Sequence, residues 1–342
     1  MKKISNKAWL FSTIVLLAAT GCNKENDNVL TPIVTPPIVT PPIVLPQIGG
    51  YNTANEVGDT SLVAYWPFDG SYSETKANLS GANTGANFTT GIKGQAYQGS
   101  KNATSYVIFS DPGSALPALN SFTISFWINA SQPIADQGTI TPGLGGQGIF
   151  DIVNSNFFWA NLHINLEPFQ SVGSGTSPNT DTLLMKVQLS NYWWGFSASA
   201  SASRIINVFL PASVDKWTQI AITYDGSSGR LTFYENGVIT GNNSLVTDYG
   251  PFSGSTILYA MDPGSANNIN NAPIFNVLNF KNVTSLVIGS WQISTTPSLT
   301  SEGNAKAWAT HYTGGLDEMR IWKKSLNDEE INSLYLLEKA KR

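Results

Sequence analysis

Cys22 is the only cysteine in the chain. An internal disulfide is therefore impossible, and no covalent staple holds the fold. Charge is also scarce, at 12% of residues with a formal net charge of −4. No basic stripe exists, which argues against nucleic acid as a partner. Histidine is limited to His163 and His311, so with one thiol the donors for a zinc site are few. No G-x-S-x-G elbow is present, and nucleophilic hydrolysis has no signature here. The apolar run Ala8 to Ala19 falls short of the ~20 residues of a membrane-spanning helix. With charge so sparse, Asn, Ser, Thr and Gly must dominate the surface. Such groups exchange hydrogen bonds with uncharged, hydroxyl-rich ligands, and they also suit simple solubility in salty surroundings.

Among what is present, the amino terminus has the form of a secretory signal. Lys2, Lys3 and Lys7 precede the apolar run, and small residues close it. Leu17-Ala18-Ala19-Thr20-Gly21-Cys22 resembles the lipobox of bacterial lipoproteins, although Ala19 stands where Leu is commoner. The resemblance implies cleavage after residue 21 and lipid on Cys22. Several acyl chains anchor stably, at about 0.8 kcal/mol per buried methylene. Asn23-Lys24-Glu25-Asn26-Asp27 resembles the surface-export signal of some Gram-negative lipoproteins. A polar spacer on a periplasm-facing lipoprotein is the alternative. Residues 22–58 are expected to form anchor and tether. Within them TPIVTPPIVTPPIVLP, from Thr31 to Pro46, is too proline-rich for helix or sheet and favours polyproline II. At ~3.1 Å per residue it spans about 50 Å, enough to hold a domain clear of the headgroups.

From Asp59 to Arg342 the pattern becomes short β-rich runs broken by Gly, Asn and Pro. Phe122, Ile124, Phe126 and Ile128 alternate on one face, as do Ile220, Ile222 and Tyr224. Asn236-Gly237 marks a hairpin, because both positions tolerate positive φ. Further strands are expected at 62–66, 106–109, 149–153, 183–189, 285–291 and 316–322. One helix is expected near the end, capped by Asn327 with Glu330 in a capping-box arrangement and an apolar stripe of Ile331, Leu334 and Tyr335. The whole reads as an all-β, two-sheet antiparallel sandwich with a short C-terminal helix.

Five segments in order carry a family resemblance: Leu62–Gly70, Phe122–Trp127, Trp217–Gly226, Leu231–Gly237 and Gly314–Trp322, with Ser325–Ile331 behind. Together they resemble the laminin-G-like, concanavalin A-like jelly roll. The resemblance implies two stacked antiparallel sheets, one of them concave. The stretches 131–148, 154–211 and 248–281 exceed the family's usual connections and are expected to rebuild loops around the concave face. Many members of the family hold a structural calcium ion through an Asp of the first-strand motif and one of the last. Here these are Asp69 and Asp317, with Glu74 a possible helper. The plain alternative makes Asp69-Gly70 a turn and Asp317 an exposed strand residue.

The fold class also includes glycoside hydrolases, which place carboxylates at alternate positions of one strand. The acidic pair Asp328 and Glu330 instead lies at the expected helix start, where negative charge favours the macrodipole. A cross-strand pair such as Asp151 with Glu235 stays open. Aromatic side chains point instead to binding, since sugar rings stack their C–H faces on flat exposed rings. The candidates are Trp159, Tyr192, Trp193, Trp194, Trp291 and Trp308. Trp66, Trp127, Trp217 and Trp322 sit in strand motifs and are expected in the core. The leading expectation is a non-catalytic domain on a Gram-negative outer-membrane lipoprotein. It would bind polysaccharide or oligosaccharide, with proteins of a glycan-uptake system as partners. A protein-binding or structural surface domain, or a hydrolase with an atypical carboxylate pair, are the alternatives.

Overall fold

The computed structural model describes residues 45–168, 181–191, 202–227, 230–240, 242–246, 255–259 and 278–342. The strands in chain order are β1 (Leu62–Trp66), β2 (Ala82–Thr84), β3 (Asn87–Thr90), β4 (Gln95–Gln98), β5 (Tyr106–Phe109), β6 (Phe122–Asn129), β7 (Gly146–Ile152), β8 (Leu162–Glu167) and β9 (Leu183–Asn191). They continue with β10 (Ala202–Leu210), β11 (Thr218–Asp225), β12 (Arg230–Glu235), β13 (Val238–Ile239), β14 (Asn242–Val246), β15 (Ser255–Tyr259), β16 (Leu286–Ile288), β17 (Ala309–His311) and β18 (Gly315–Trp322). Among the described residues there is one α-helix, α1 (Asp328–Lys339), after β18.

Two sheets form. Sheet I has the order β14-β15-β12-β11-β6-β18-β4-β3, with β1 on β18 and β13 on β12. Sheet II has the order β10-β9-β8-β7-β16-β5-β2, with β17 on β7. Pairing is antiparallel except for β14–β15 and β17–β7. The chain crosses between sheets repeatedly, passing from β6 to β7–β10, back to β11–β15, out to β16–β17 and home through β18.

The alternation of side chains explains the layers. Phe122, Ile124, Phe126 and Ile128 of β6 face the inter-sheet core with Ile220 and Ile222 of β11, Ile149 and Ile152 of β7, and Ile164 and Leu166 of β8. A large side chain of this kind contributes about 1.5–3 kcal/mol on full burial. Trp66 and Trp322 are fully buried and Trp127 nearly so, whereas Trp217 is only half-buried. Trp127 lies on the outer face of sheet I, against α1 rather than in the sandwich.

Asn327 caps α1: its side chain accepts from Glu330 N–H at 2.8 Å, and Glu330 accepts from Asn327 N–H at 2.9 Å. Ile331, Leu334 and Leu337 are its buried face, with Tyr335 stacked on Trp127 at 5.6 Å. The packed body begins at Leu45, ahead of the Asp59 start that composition suggests. Ala54 and Val57 are buried with α1 and Trp322 in one apolar cluster. Asn236 and Gly237 both have positive φ, 50° and 78°, as the hairpin from β12 to β13 requires. The stretch 154–211 is a correction. Besides the loop that holds Phe158 and Trp159, its described residues form the strands β8, β9 and β10, which extend sheet II rather than only rebuilding loops.

Candidate functional site

The outer face of sheet II carries an aromatic cluster assembled from three separate segments. Phe158 and Trp159 lie between β7 and β8, Trp291 follows β16, and Trp308 precedes β17. Trp159 and Trp308 ring centroids are 5.8 Å apart, Trp291 and Trp308 5.3 Å, and Trp159 and Trp291 6.4 Å. Phe158 adds an edge contact to Trp159 at 4.8 Å. Trp291 is buried, Phe158 and Trp159 are half-buried, and Trp308 is 37% exposed.

Backbone hydrogen bonds fix these rings. The Trp291 indole N–H donates to Gly146 C=O at 2.7 Å, and Gly146 N–H donates to Trp308 C=O at 2.7 Å. A Cβ on Gly148 would sit 2.4 Å from the Ser290 backbone, so only glycine lets segment 290–292 lie flat on β7. The Gln292 amide donates to the carbonyls of Phe157 (2.6 Å) and Phe158 (3.1 Å), tying the two aromatic segments together.

Beneath the rings runs a polar row. Asp151, His163 and Gln188 are direct cross-strand neighbours on β7, β8 and β9, and all three are buried. His163 Nδ1 bonds Asp151, whose other oxygen accepts from Gln292 N–H at 2.6 Å. The imidazole lies 3.8 Å from the Trp291 ring. His163 Nε2 and Gln188 Nε2 are buried without a partner among the described residues. A second row follows on the same face. Asn165 Nδ2 donates to Glu167 Oε1 at 2.9 Å, and Lys186 Nζ lies 3.3 Å from the same oxygen. Nearby, His311 Nδ1 pairs with Ser290 Oγ at 3.0 Å, and burial pushes its pKa down to about 4.

Asp69 and Asp317 reach the same turn, between β3 and β4. Asp69 Oδ1 accepts from Gln95 N–H at 2.7 Å, and Asp317 Oδ2 accepts from Lys93 N–H at 3.1 Å. A Cβ on Gly94 would lie 1.8 Å from Asp69 Oδ1, and one on Gly91 2.4 Å from Asp317 Oδ2. Glycine at both positions opens the turn to the two carboxylates. Each Asp adjoins a residue held in the left-handed region, Phe68 at φ 55° and Glu318 at φ 49°. Asp317 is fully buried rather than exposed, and burial raises its pKa to about 8. Glu74 does not join them. Its carboxylate accepts backbone N–H groups from Tyr65, Lys76 and Ala77 at 2.5–2.6 Å. Among the described residues no group of three or more His, Cys, Asp or Glu could hold a metal, so any ion here takes its other oxygens from carbonyls and water.

No family model matches the chain, and no curated protein matches it. Solved structures do. The binding domain of botulinum neurotoxin serotype C1 aligns with a TM-score of 0.50 at 14% identity, over 82% of this chain and 53% of that one. The binding domain of botulinum neurotoxin DC in complex with SialylT gives 0.48 at 15%, over 82% and 52%. Domain 4 of the extracellular arabinanase AbnA from Geobacillus stearothermophilus, solved with arabinotriose, gives 0.42 at 19%, over 80% and 98%. The chain spans about half the length of the neurotoxin chains it matches. At such identity the likeness is one of fold. The chain is a jelly-roll-like β-sandwich.

Of the residues expected to touch ligand, the fold brings Trp159, Trp291 and Trp308 together. Tyr192, Trp193, Trp194 and the lipidation candidate Cys22 lie outside the described residues. Asp151 and Glu235 do not form a carboxylate pair. They stand on different sheets, Asp151 bound to His163 and Glu235 accepting from Ser213 Oγ at 2.9 Å. Asn165 and Glu167 carry no motif in the sequence, and His163 stands out there only as one of two histidines. The alternation of Leu162, Ile164 and Leu166 between them was the available signal.

Proposed function

We propose that the domain binds carbohydrate without cleaving it, on the outer face of sheet II. The carrying observation is the Trp159–Trp291–Trp308 cluster, in which a buried ring backs an exposed one. Trp308 offers a flat apolar face of the kind that stacks on sugar C–H groups, and Trp291 is fixed behind it by its indole hydrogen bond. Half-buried polar side chains on β8 and β9 stand beside the platform to bond hydroxyls. The chain would serve as a laminin-G-like lipoprotein, anchored through Cys22 to the outer membrane and displayed at the surface on its proline stalk. There it would pass captured glycan to proteins of an uptake system. The test is affinity electrophoresis against a polysaccharide panel. Retardation by at least one glycan, abolished by Trp308→Ala at unchanged melting temperature, is expected. Retardation indifferent to Trp308→Ala, Trp193→Ala and Trp194→Ala would count against the reading.

A calcium ion at Asp69 and Asp317 is proposed as a structural adjunct. A buried carboxylate without a cationic partner among the described residues, two glycines that open the turn and two left-handed residues beside the carboxylates support it. Calcium should raise the melting temperature and a chelator should lower it, with Asp69→Ala insensitive to both. A melting temperature that neither calcium nor Asp69→Ala moves would sink the idea.

A further inference from the structure

We infer that Glu167 and Lys186, backed by Asn165, form the polar half of the glycan site and read a pair of adjacent hydroxyls on a neutral sugar. The inference rests on the carbohydrate-binding reading above and adds to it the ligand chemistry. Three observations place the trio at the platform. An added Cβ on Gly146 would lie 3.2 Å from Glu167 Oε1, 3.3 Å from Asn165 Nδ2 and 3.2 Å from Trp308 C=O. The same glycine holds both Trp291 and Trp308 by hydrogen bonds. Glu167 and Lys186 side chains are 21% and 33% exposed, open enough to meet a ligand, whereas Asn165 is buried.

The pairing leaves capacity on both charged groups. Glu167 Oε1 accepts from Asn165 and faces the Lys186 ammonium at 3.3 Å, while Oε2 has no hydrogen bond among the described residues. A carboxylate oxygen only accepts, and an ammonium only donates, through three N–H groups. The ion pair thus offers an acceptor and a donor side by side. A hydroxyl can do either. One hydroxyl of a vicinal diol donates to Oε2 while its neighbour accepts from Lys186 Nζ, and the ring carbons behind them lean on Trp308. An anionic sugar fits worse, because its charge would face the free carboxylate oxygen.

Hydrogen bonds to charged groups are strong enough for each partner to be worth roughly tenfold or more in affinity. The experiment uses the full-length protein with a mixed-linkage glucan, an arabinan, a mannan and polygalacturonate. Each polymer is taken native and after periodate oxidation and borohydride reduction, which opens vicinal diols. Expected are binding of a native neutral polymer, about tenfold or greater weakening after periodate, and a similar loss in Glu167→Gln, which turns the acceptor Oε2 into a donor. Lys186→Ala should weaken binding likewise and provides a second variant should the first fail to fold. Full affinity in both variants, with binding still abolished by Trp308→Ala, would overturn the diol reading and leave carbohydrate binding standing. Preferential binding of polygalacturonate, tightened by Glu167→Gln, would overturn it in favour of an acidic sugar. Failure of every polymer to bind wild-type protein would remove both.

Discussion

The outer faces of the two sheets serve different ends. On sheet I, α1 seals the face over a buried ion network. Arg320, Glu318 and Glu338 are fully buried, Arg320 bonding Glu318 at 2.6 Å and Glu338 through its other nitrogen. Trp127 Nε1–H donates to Glu338 at 2.7 Å, Tyr65 O–H donates to Glu318 at 3.0 Å, and the guanidinium lies 4.0 Å over the Tyr65 ring. On sheet II the aromatic segments cover the face incompletely. Trp308 stays exposed, and Asn154 Nδ2, His163 Nε2 and Gln188 Nε2 are buried without partners among the described residues. Arg320 Nε on sheet I also lacks a partner among the described residues, so the faces differ in their cover: α1 closes one, and Trp308 keeps the other open to solvent.

The strongest blow to the sealed face is Arg320→Ala. It leaves two buried carboxylates unpaired, and removing one partner of such a pair costs about 3–5 kcal/mol. Urea unfolding should show that loss, while glycan affinity, measured where the variant is folded, stays unchanged. A cost under about 1 kcal/mol would mean that α1 is held by its apolar face alone.

The next effect separates two tryptophans within one cluster. Trp291→Ala removes a buried ring and should cost about 3–5 kcal/mol. Trp308→Ala removes an exposed one and should cost under about 1 kcal/mol, yet it should abolish glycan binding. Equal costs in the two variants would erase the distinction between backing and contact.

Both faces share a sandwich that was largely legible in the chain. Strands β6, β11 and β12 announce themselves because each carries a large apolar residue at every second position. Asn327 and Glu330 mark the start of α1 because capping is a local interaction. The ion network was not legible. Glu318 and Arg320 alternate with Met319 as exposed strand residues do, and only the arrival of Glu338 from α1 buries them. The site was half legible. Trp159 in the stretch 154–211, and Trp291 and Trp308 in the late region where long loops meet, were among the tryptophans outside the core strand motifs. Pairing Asp151 with His163, or Asn165 with Lys186, needs the register of β7, β8 and β9, which no local pattern supplies.

Proton linkage offers a milder contrast. Asp317, on sheet I, has a folded pKa of about 8 against an ordinary 3.8. The folded state holds that proton longer, so this contribution to stability falls as pH rises from 3.8 to 8. His311, on sheet II, has a folded pKa of about 4 against 6.5, so its contribution is lost as pH falls from 6.5 to 4. The slopes of Asp317 and His311 oppose each other below pH 6.5; above it Asp317 acts together with Glu338, whose pKa burial raises to about 7. In calcium-free buffer, stability should therefore decline between pH 6.5 and 8, and Asp317→Asn should flatten that decline. An unchanged slope in the variant would show that burial of Asp317 is not its cause.

The smallest test returns to the sealed face at its least buried point. Asn327→Ala removes one side of the capping box and leaves the apolar stripe of α1 and the Arg320–Glu338 pair intact. Loss of such a cap costs typically about 1 kcal/mol. If the network dominates the docking of α1, the loss should stay near that figure, and hydrogen exchange should quicken only in the first helical turn. A loss approaching that of Arg320→Ala would mean that the helix docks from its N-terminus. The buried ions would then be a consequence of docking rather than its cause.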